Sequence, residues 1–273
     1  MNSISSQNPI GIFDSGVGGL TVADAICKLL PSENTIYFGD TIHLPYGDKS
    51  TEVVKNYATK ITEFLLEKKC KMVVVACNTA AAAAFEELKN KFGNKILLVD
   101  VIEPMVNFVA QNFTKNKIGI IATKGTVASN VYETKLKSHH VADVHSLATP
   151  LLVHLIEEGF SHHEGSQLLV QEYLRHKILR KIDVLVLACT HYPILKNTIE
   201  EFYHHEVKVL DSTEITAQAV KDKLFENNLL NQQKNEATHQ FFVSDFTPAF
   251  QQIAQLFYGE NIQLQKLNIW NEA

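Results

Sequence analysis

Two strand-like segments of this chain recur at nearly one offset, and that repeat constrains the fold more than any other feature. Ile10-Gly11-Ile12-Phe13-Asp14-Ser15-Gly16 is matched by Ile118-Gly119-Ile120-Ile121-Ala122-Thr123-Lys124-Gly125. Val73-Val74-Val75-Ala76-Cys77-Asn78-Thr79 is matched by Val184-Leu185-Val186-Leu187-Ala188-Cys189-Thr190-His191. Gly11 and Gly119 lie 108 residues apart, Cys77 and Cys189 112. Either match alone is weak, because apolar strands resemble one another; two at nearly one offset indicate two related halves. Nearly continuous Val/Ile/Leu/Phe runs at residues 9–13, 35–38, 72–75, 96–99, 117–121, 184–187 and 207–210 predict strands of parallel sheets covered on both faces. Helical spacing falls between them, at residues 53–67, 79–92, 101–112, 166–178 and 212–226. The βαβα order gives the α/β class, here two similar parallel-sheet domains. Open parallel sheets bind ligands beyond the carboxyl ends of their strands, where Asp14, Cys77, Thr123 and Cys189 all stand. With the halves facing each other about a pseudo-two-fold axis, Cys77 and Cys189 are expected in one interdomain cleft.

Charge and hydropathy narrow the partners. Twenty-five Lys and Arg against 30 Asp and Glu give a net charge of −5, so no positive field is available for a phosphate backbone, and nucleic acid is not expected. No run reaches the roughly 18–20 apolar residues that span a bilayer, and residues 1–9 lack the basic and apolar regions of a signal peptide. A cytoplasmic protein without membrane association is expected. Its four cysteines, Cys27, Cys70, Cys77 and Cys189, have no CxxC spacing and stay reduced in that compartment.

Several familiar motifs fail on inspection. Gly16-Val17-Gly18-Gly19 invites a phosphate-loop reading, but a dinucleotide fingerprint counted from Gly16 needs Gly where Thr21 stands. A Walker loop counted from Gly11 needs Lys where Val17 stands. The glycines instead form a turn that feeds a helix and presents Asp14 and Ser15. The pairs His139-His140, His162-His163 and His204-His205 point in divergent directions on a helix and read as surface residues. With no His-Glu-x-x-His and no cysteine cluster, no metal is expected, and a Gly-x-Ser-x-Gly elbow is missing as well.

The paired cysteines carry the chemistry. Each follows a buried strand and precedes short polar residues, Asn78-Thr79 or Thr190-His191. A helix N-terminus or a nearby cation favours thiolate, and both positions are read that way. A cysteine nucleophile needs one thiol and would leave the second idle. Disulfide exchange needs the sulfurs in bonding distance, leaving no room for a substrate. Inversion at carbon needs one group to remove a proton from one face and another to return a proton to the opposite face. Two thiols flanking Cα serve that purpose, so the residues point to a racemase or epimerase. Cys27 and Cys70 lie outside the repeat and read as structural thiols.

The segments Gly11 to Thr21, Asp40-Thr41 with Pro45-Tyr46-Gly47, Ala76-Cys77-Asn78-Thr79-Ala80, Val101-Ile102-Glu103-Pro104 and Ala188-Cys189-Thr190-His191-Tyr192-Pro193 together resemble the glutamate racemases of the aspartate/glutamate racemase superfamily. The resemblance runs from about Ile10 to the Asp211-Ser212 region. It implies cofactor-independent interconversion of L- and D-glutamate, supplying D-glutamate for bacterial peptidoglycan, by a homodimer. It further implies that Cys77 acts on the D-enantiomer and Cys189 on the L-enantiomer, with Asp14 assisting Cys77 and His191 assisting Cys189. Asp14, Ser15, Tyr46, Gly47, Asn78, Thr79, Thr190 and His191 are the implied substrate contacts, with Thr123 a further one at the repeat position. Glu157 is a candidate for the cleft, in competition with its neighbour Glu158.

Two features depart from the family pattern. Asp100 stands where a small residue is usual, either near the hinge or cleft or as a surface charge. Residues 1–8 extend beyond the usual start and are expected to be disordered. The domain limits expected are residues 1–100 with Asp14 and Cys77, residues 101–210 with Thr123 and Cys189, and residues 211–273 returning to the first domain. A racemase of aspartate or another acidic amino acid and a two-lobed binding protein without catalysis remain as alternatives.

Overall fold

A computed structural model describes residues 4–161, 163–233 and 236–270. The strands are β1 (Ile10–Asp14), β2 (Thr35–Gly39), β3 (Met72–Val75), β4 (Leu97–Asp100), β5 (Ile118–Ala122), β6 (Val144–Ala148), β7 (Val184–Ala188), β8 (Lys208–Asp211), β9 (His239–Val243) and β10 (Leu264–Lys266). They form two sheets, one in the order β10-β9-β2-β1-β3-β4 and the other β6-β5-β7-β8, with every pairing parallel. The first four strands of each half therefore share one order, second-first-third-fourth. β1 corresponds to β5 and β3 to β7, the two segments that repeat in the sequence.

The central strands β1, β3, β5 and β7 are buried along their whole length, as their continuous apolar sequences require when helices cover both faces. Those helices are α1 (Leu20–Leu29), α2 (Thr51–Glu67), α3 (Asn78–Phe92), α4 (Ile102–Asn112), α5 (Lys124–Ala128), α6 (Val131–Ser138), α7 (Leu151–Glu157), α8 (Glu164–Leu174), α9 (Lys196–Phe202), α10 (Thr213–Glu226) and α11 (Pro248–Tyr258). The predicted helix at residues 166–178 is interrupted: α8 ends at Leu174, and a 3-10 turn at Lys177–Leu179 follows. The expected strands are otherwise shifted by at most one residue at either end. β6, β9 and β10 had no continuous apolar run to mark them; they lie toward the sheet edges and are only partly buried.

The order second-first-third places a topological switch between the first and third strands of each sheet, where ligands of such sheets collect. In the first half Ser15 follows β1 and Cys77 follows β3; in the second Thr123 follows β5 and Cys189 follows β7. The opposite end of the first sheet is pinned by a buried ion pair, Lys71 with Glu33. Lys71 Nζ also donates to the carbonyls of Ser6 and Leu229, while the second Glu33 oxygen accepts from Asn231 N at 2.8 Å. The expected disorder of residues 1–8 fails for Ser5 to Asn8: Asn8 N donates to Ser5 O, and Asn34 Nδ2 donates to Gln7 O. Residues 1–3 lie outside the described residues.

Candidate active site

The two switch points meet at one cavity. It is lined by Ser15, Pro45, Tyr46, Gly47, Cys77, Asn78, Thr79, Thr123, Val153, Ala188, Cys189, Thr190 and His191, drawn from both lobes. Its volume is about 20 Å³, room for about one water, so in this conformation the cavity is too small for a larger ligand. The site residues expected from the sequence line this space except Asp14, which is wholly buried, and the cleft candidate Glu157, which is not part of the lining. Asp14 Oδ2 accepts from Gly16 N at 3.1 Å, and Oδ1 accepts from Thr190 Oγ1 of the other lobe at 3.4 Å. Burial raises its pKa, against the opposing pull of the His191 charge and the N–H groups of Gly19 and Gly16.

The sulfurs sit in different surroundings. Cys77 caps α3, its Sγ accepting from Ala80 N at 3.4 Å, and lies 3.6 Å from Ser15 Oγ. The expected thiolate preference at this position is overturned. Burial, reinforced by the nearby Asp14 charge, outweighs the helix N–H and pushes the Cys77 pKa up to about 12. Cys77 is a thiol here. Cys189 Sγ lies 3.8 Å from His191 Nδ1. His191 Nε2 in turn lies 3.0 Å from Glu157 Oε1. Burial of His191 disfavours its charge, but its hydrogen bonds to Cys189 and Glu157 outweigh that and hold its pKa well above the ordinary imidazole value. The rivalry between Glu157 and Glu158 is thereby decided: Glu157 faces His191, and Glu158 is exposed beyond the end of α7.

Glycine at position 18 permits this packing. A Cβ there would lie 2.5 Å from the His191 ring and 2.7 Å from Thr190 Oγ1. At Gly47 a Cβ would lie 2.8 Å from Thr123 Cβ, so the Tyr46-Gly47 turn closes directly onto the second lobe. Tyr46 is held from below by Asp40, whose buried carboxylate accepts from Tyr46 Oη at 2.7 Å, Ser244 Oγ at 2.9 Å and Trp270 Nε1 at 2.9 Å, with His43 Nδ1 at 2.8 Å. Four donors on one carboxylate compensate a charge that burial alone would make costly.

Two further contacts join the lobes beside the cavity. Thr79 Oγ1 lies 2.8 Å from Thr123 Oγ1, and Tyr132 Oη donates to Asn78 Oδ1 at 2.7 Å. Tyr132 carried no sequence signal, because nothing marked the segment around it as near the strand ends. Asp100 is buried at the end of β4 and is neither a surface charge nor a wall of the cavity. The pairs His139-His140 and His204-His205 and the residue His163 are exposed, and His162 lies outside the described residues. Among the described residues no group of three or more His, Cys, Asp or Glu is arranged to hold a metal ion. Nor is any helix among them long and apolar enough to cross a membrane.

Residues 21–220 match the family model described as Asp/Glu/Hydantoin racemase. The glutamate racemase of Neisseria meningitidis is 43% identical over 264 residues, 96% of this chain and 97% of its own. That of Chlorobaculum parvum is 39% identical over 262 residues, 96% of each. The crystal structure of glutamate racemase from Francisella tularensis in complex with D-glutamate superposes with a TM-score of 0.90 at 34% identity, over 97% of this chain and 99% of the other. The shared sequence and fold place this chain in the Asp/Glu/hydantoin racemase family, a family of isomerases.

Proposed function

We propose that this protein interconverts L- and D-glutamate by a two-base mechanism in which Cys77 and Cys189 act on opposite faces of Cα. One observation carries the reading: two cysteines at equivalent strand ends of the two halves line a single cavity. Polar groups suited to two carboxylates surround them, namely Ser15, Asn78, Thr79, Thr123 and Thr190.

The protonation pattern favours the L-enantiomer as the first reactant. His191, charged between Cys189 and Glu157, is the counter-ion that a sulfur anion at Cys189 needs. That anion removes the Cα proton of L-glutamate, and the Cys77 thiol delivers its proton to the opposite face. The cycle leaves D-glutamate, a Cys189 thiol and a Cys77 thiolate, and the reverse reaction runs from that state. Asp14 acts on the Cys77 side, where its charge is felt by the sulfur. Closure of the lobes around the substrate removes water, which strengthens each charge interaction at Cα. No cofactor enters this reading. The product supplies D-glutamate for peptidoglycan in the cytoplasm, and the enzyme works as a homodimer.

The test is chiral chromatography of purified protein incubated with each enantiomer of glutamate and of aspartate, with no cofactor added. The expected result is conversion of either glutamate enantiomer to the same near-equal mixture, with aspartate converted at least 100-fold more slowly. Binding of glutamate without conversion identifies a binding protein instead and overturns the reading.

A further inference from the structure

The cavity wall contains one buried polar atom without a partner. Asn78 is 2% exposed, and its Nδ2 makes no hydrogen bond, whereas its Oδ1 accepts from Tyr132 Oη. A buried amide left unpaired is costly unless a ligand completes it. Asn78 is also the residue directly after Cys77 and opens α3, so its amide borders the reacting centre of the proposed reaction.

We propose that Tyr132 is a positioning residue that fixes the Asn78 amide with its NH2 toward the cavity, where it donates to a carboxylate of the substrate. This rests on the reading of the cavity as the glutamate site. The amide orientation follows from the hydroxyl. Tyr132 is 3% exposed and Asn78 is the partner of its Oη. Were the amide turned over, Nδ2 would donate to Oη, and the hydroxyl proton would lose its acceptor in a buried place. The same turn would aim Oδ1 at an anionic ligand. With Oδ1 on Tyr132, the donor faces the anion and no buried acceptor is stranded. Tyr132 lies on α6 of the second lobe and Asn78 on α3 of the first, so the hydrogen bond forms across the two lobes.

The test compares KM, kcat and calorimetric glutamate affinity for wild type, Tyr132→Phe, Asn78→Ala, the double variant and Asn78→Asp, each checked by thermal unfolding. Tyr132→Phe is expected to raise KM about tenfold for both enantiomers with kcat changed less than about threefold, because the contact is made equally in ground and transition states. In the Asn78→Ala background the same substitution is expected to change KM less than about twofold, since Tyr132 acts through Asn78. Asn78→Asp keeps an acceptor for Tyr132 but turns an oxygen on the substrate, and is expected to raise KM about 100-fold or more. A purely structural hydrogen bond would tolerate that change.

Wild-type KM in Tyr132→Phe, multiplying effects in the double variant, or unimpaired glutamate binding by Asn78→Asp overturns the proposal. A wild-type protein that binds glutamate but does not racemise it refutes the functional reading alone, because the affinity comparison still tests Tyr132. A wild-type protein that neither binds nor racemises glutamate overturns both.

Discussion

His191 Nε2 lies 3.0 Å from Glu157 Oε1, and its other ring nitrogen lies 3.8 Å from Cys189 Sγ. The imidazole thus links a carboxylate on α7 to the sulfur at the end of β7. Removing the carboxylate charge in Glu157→Gln lowers the His191 pKa. His191 is then deprotonated at lower pH, and the alkaline limb of kcat/KM moves to lower pH. Turnover is expected to fall about 10- to 100-fold, less than the ~10²–10⁴-fold lost when a general acid or base is itself removed, because Glu157 acts through His191. A pH-rate profile of the variant identical to wild type contradicts this coupling.

Gly18 supports the same imidazole from the other side. Its φ is unremarkable, so the constraint is space: an added Cβ meets the His191 ring at 2.5 Å. Gly18→Ala is expected to reduce kcat/KM about 100-fold by shifting His191, as small misplacements at a reacting centre do. The thermal midpoint should move by only a few degrees, because the shift is local. Equal activity in the variant, measured by a polarimetric assay, refutes the account of this glycine.

Asp100 tests stability. Burial raises its pKa from 3.8 to about 6, against the pull of Glu103 N on its Oδ1. Between those values the folded state binds more protons than the unfolded state, so stability falls as pH rises from about 4 to 6. The loss is complete above the folded pKa and amounts to at most about 3 kcal/mol at 1.36 kcal/mol per unit. Asp100→Asn retains an acceptor for Glu103 N and removes the penalty. Thermal unfolding should show the variant more stable than wild type at pH 8 and not at pH 4; a gain of equal size at both pH values contradicts the assignment.

Lys71 and Glu33 form the buried ion pair at the other end of the first sheet. Lys71→Met leaves Glu33 buried without its cation and is expected to cost about 3–5 kcal/mol. Adding Glu33→Leu should recover most of that loss, as replacing both partners removes the stranded charge. Urea unfolding of the single and double variants measures this, and equal loss in both refutes it.

The parts of this architecture written in continuous apolar runs were legible before the structure, and so were the residues that follow them. β1, β3, β5 and β7 are buried on both faces, which forces unbroken Val, Ile and Leu, and the polar residues at their ends stand out by contrast. β6, β9 and β10 mix polar and apolar residues because their environment is half exposed, and no periodicity separated them from loops. At the cavity the motif residues were found by type and position. Tyr132 and Gly18 act through contacts between distant segments, which spacing along the chain does not encode. The Cys77 ionisation state is hidden from the sequence for a related reason: the capping N–H groups are a local property, whereas the burial that overrides them belongs to the assembled lobes.

Turnover in deuterated water by wild type, Cys77→Ala and Cys189→Ala tests the paired-sulfur account most directly. Wild type should convert either glutamate enantiomer with deuterium at Cα of the product, and each variant should lose inversion in both directions by about 1000-fold or more, as expected when a group that transfers the proton is removed. Inversion at near wild-type rate by either variant, or product that retains the original hydrogen at Cα throughout, contradicts it.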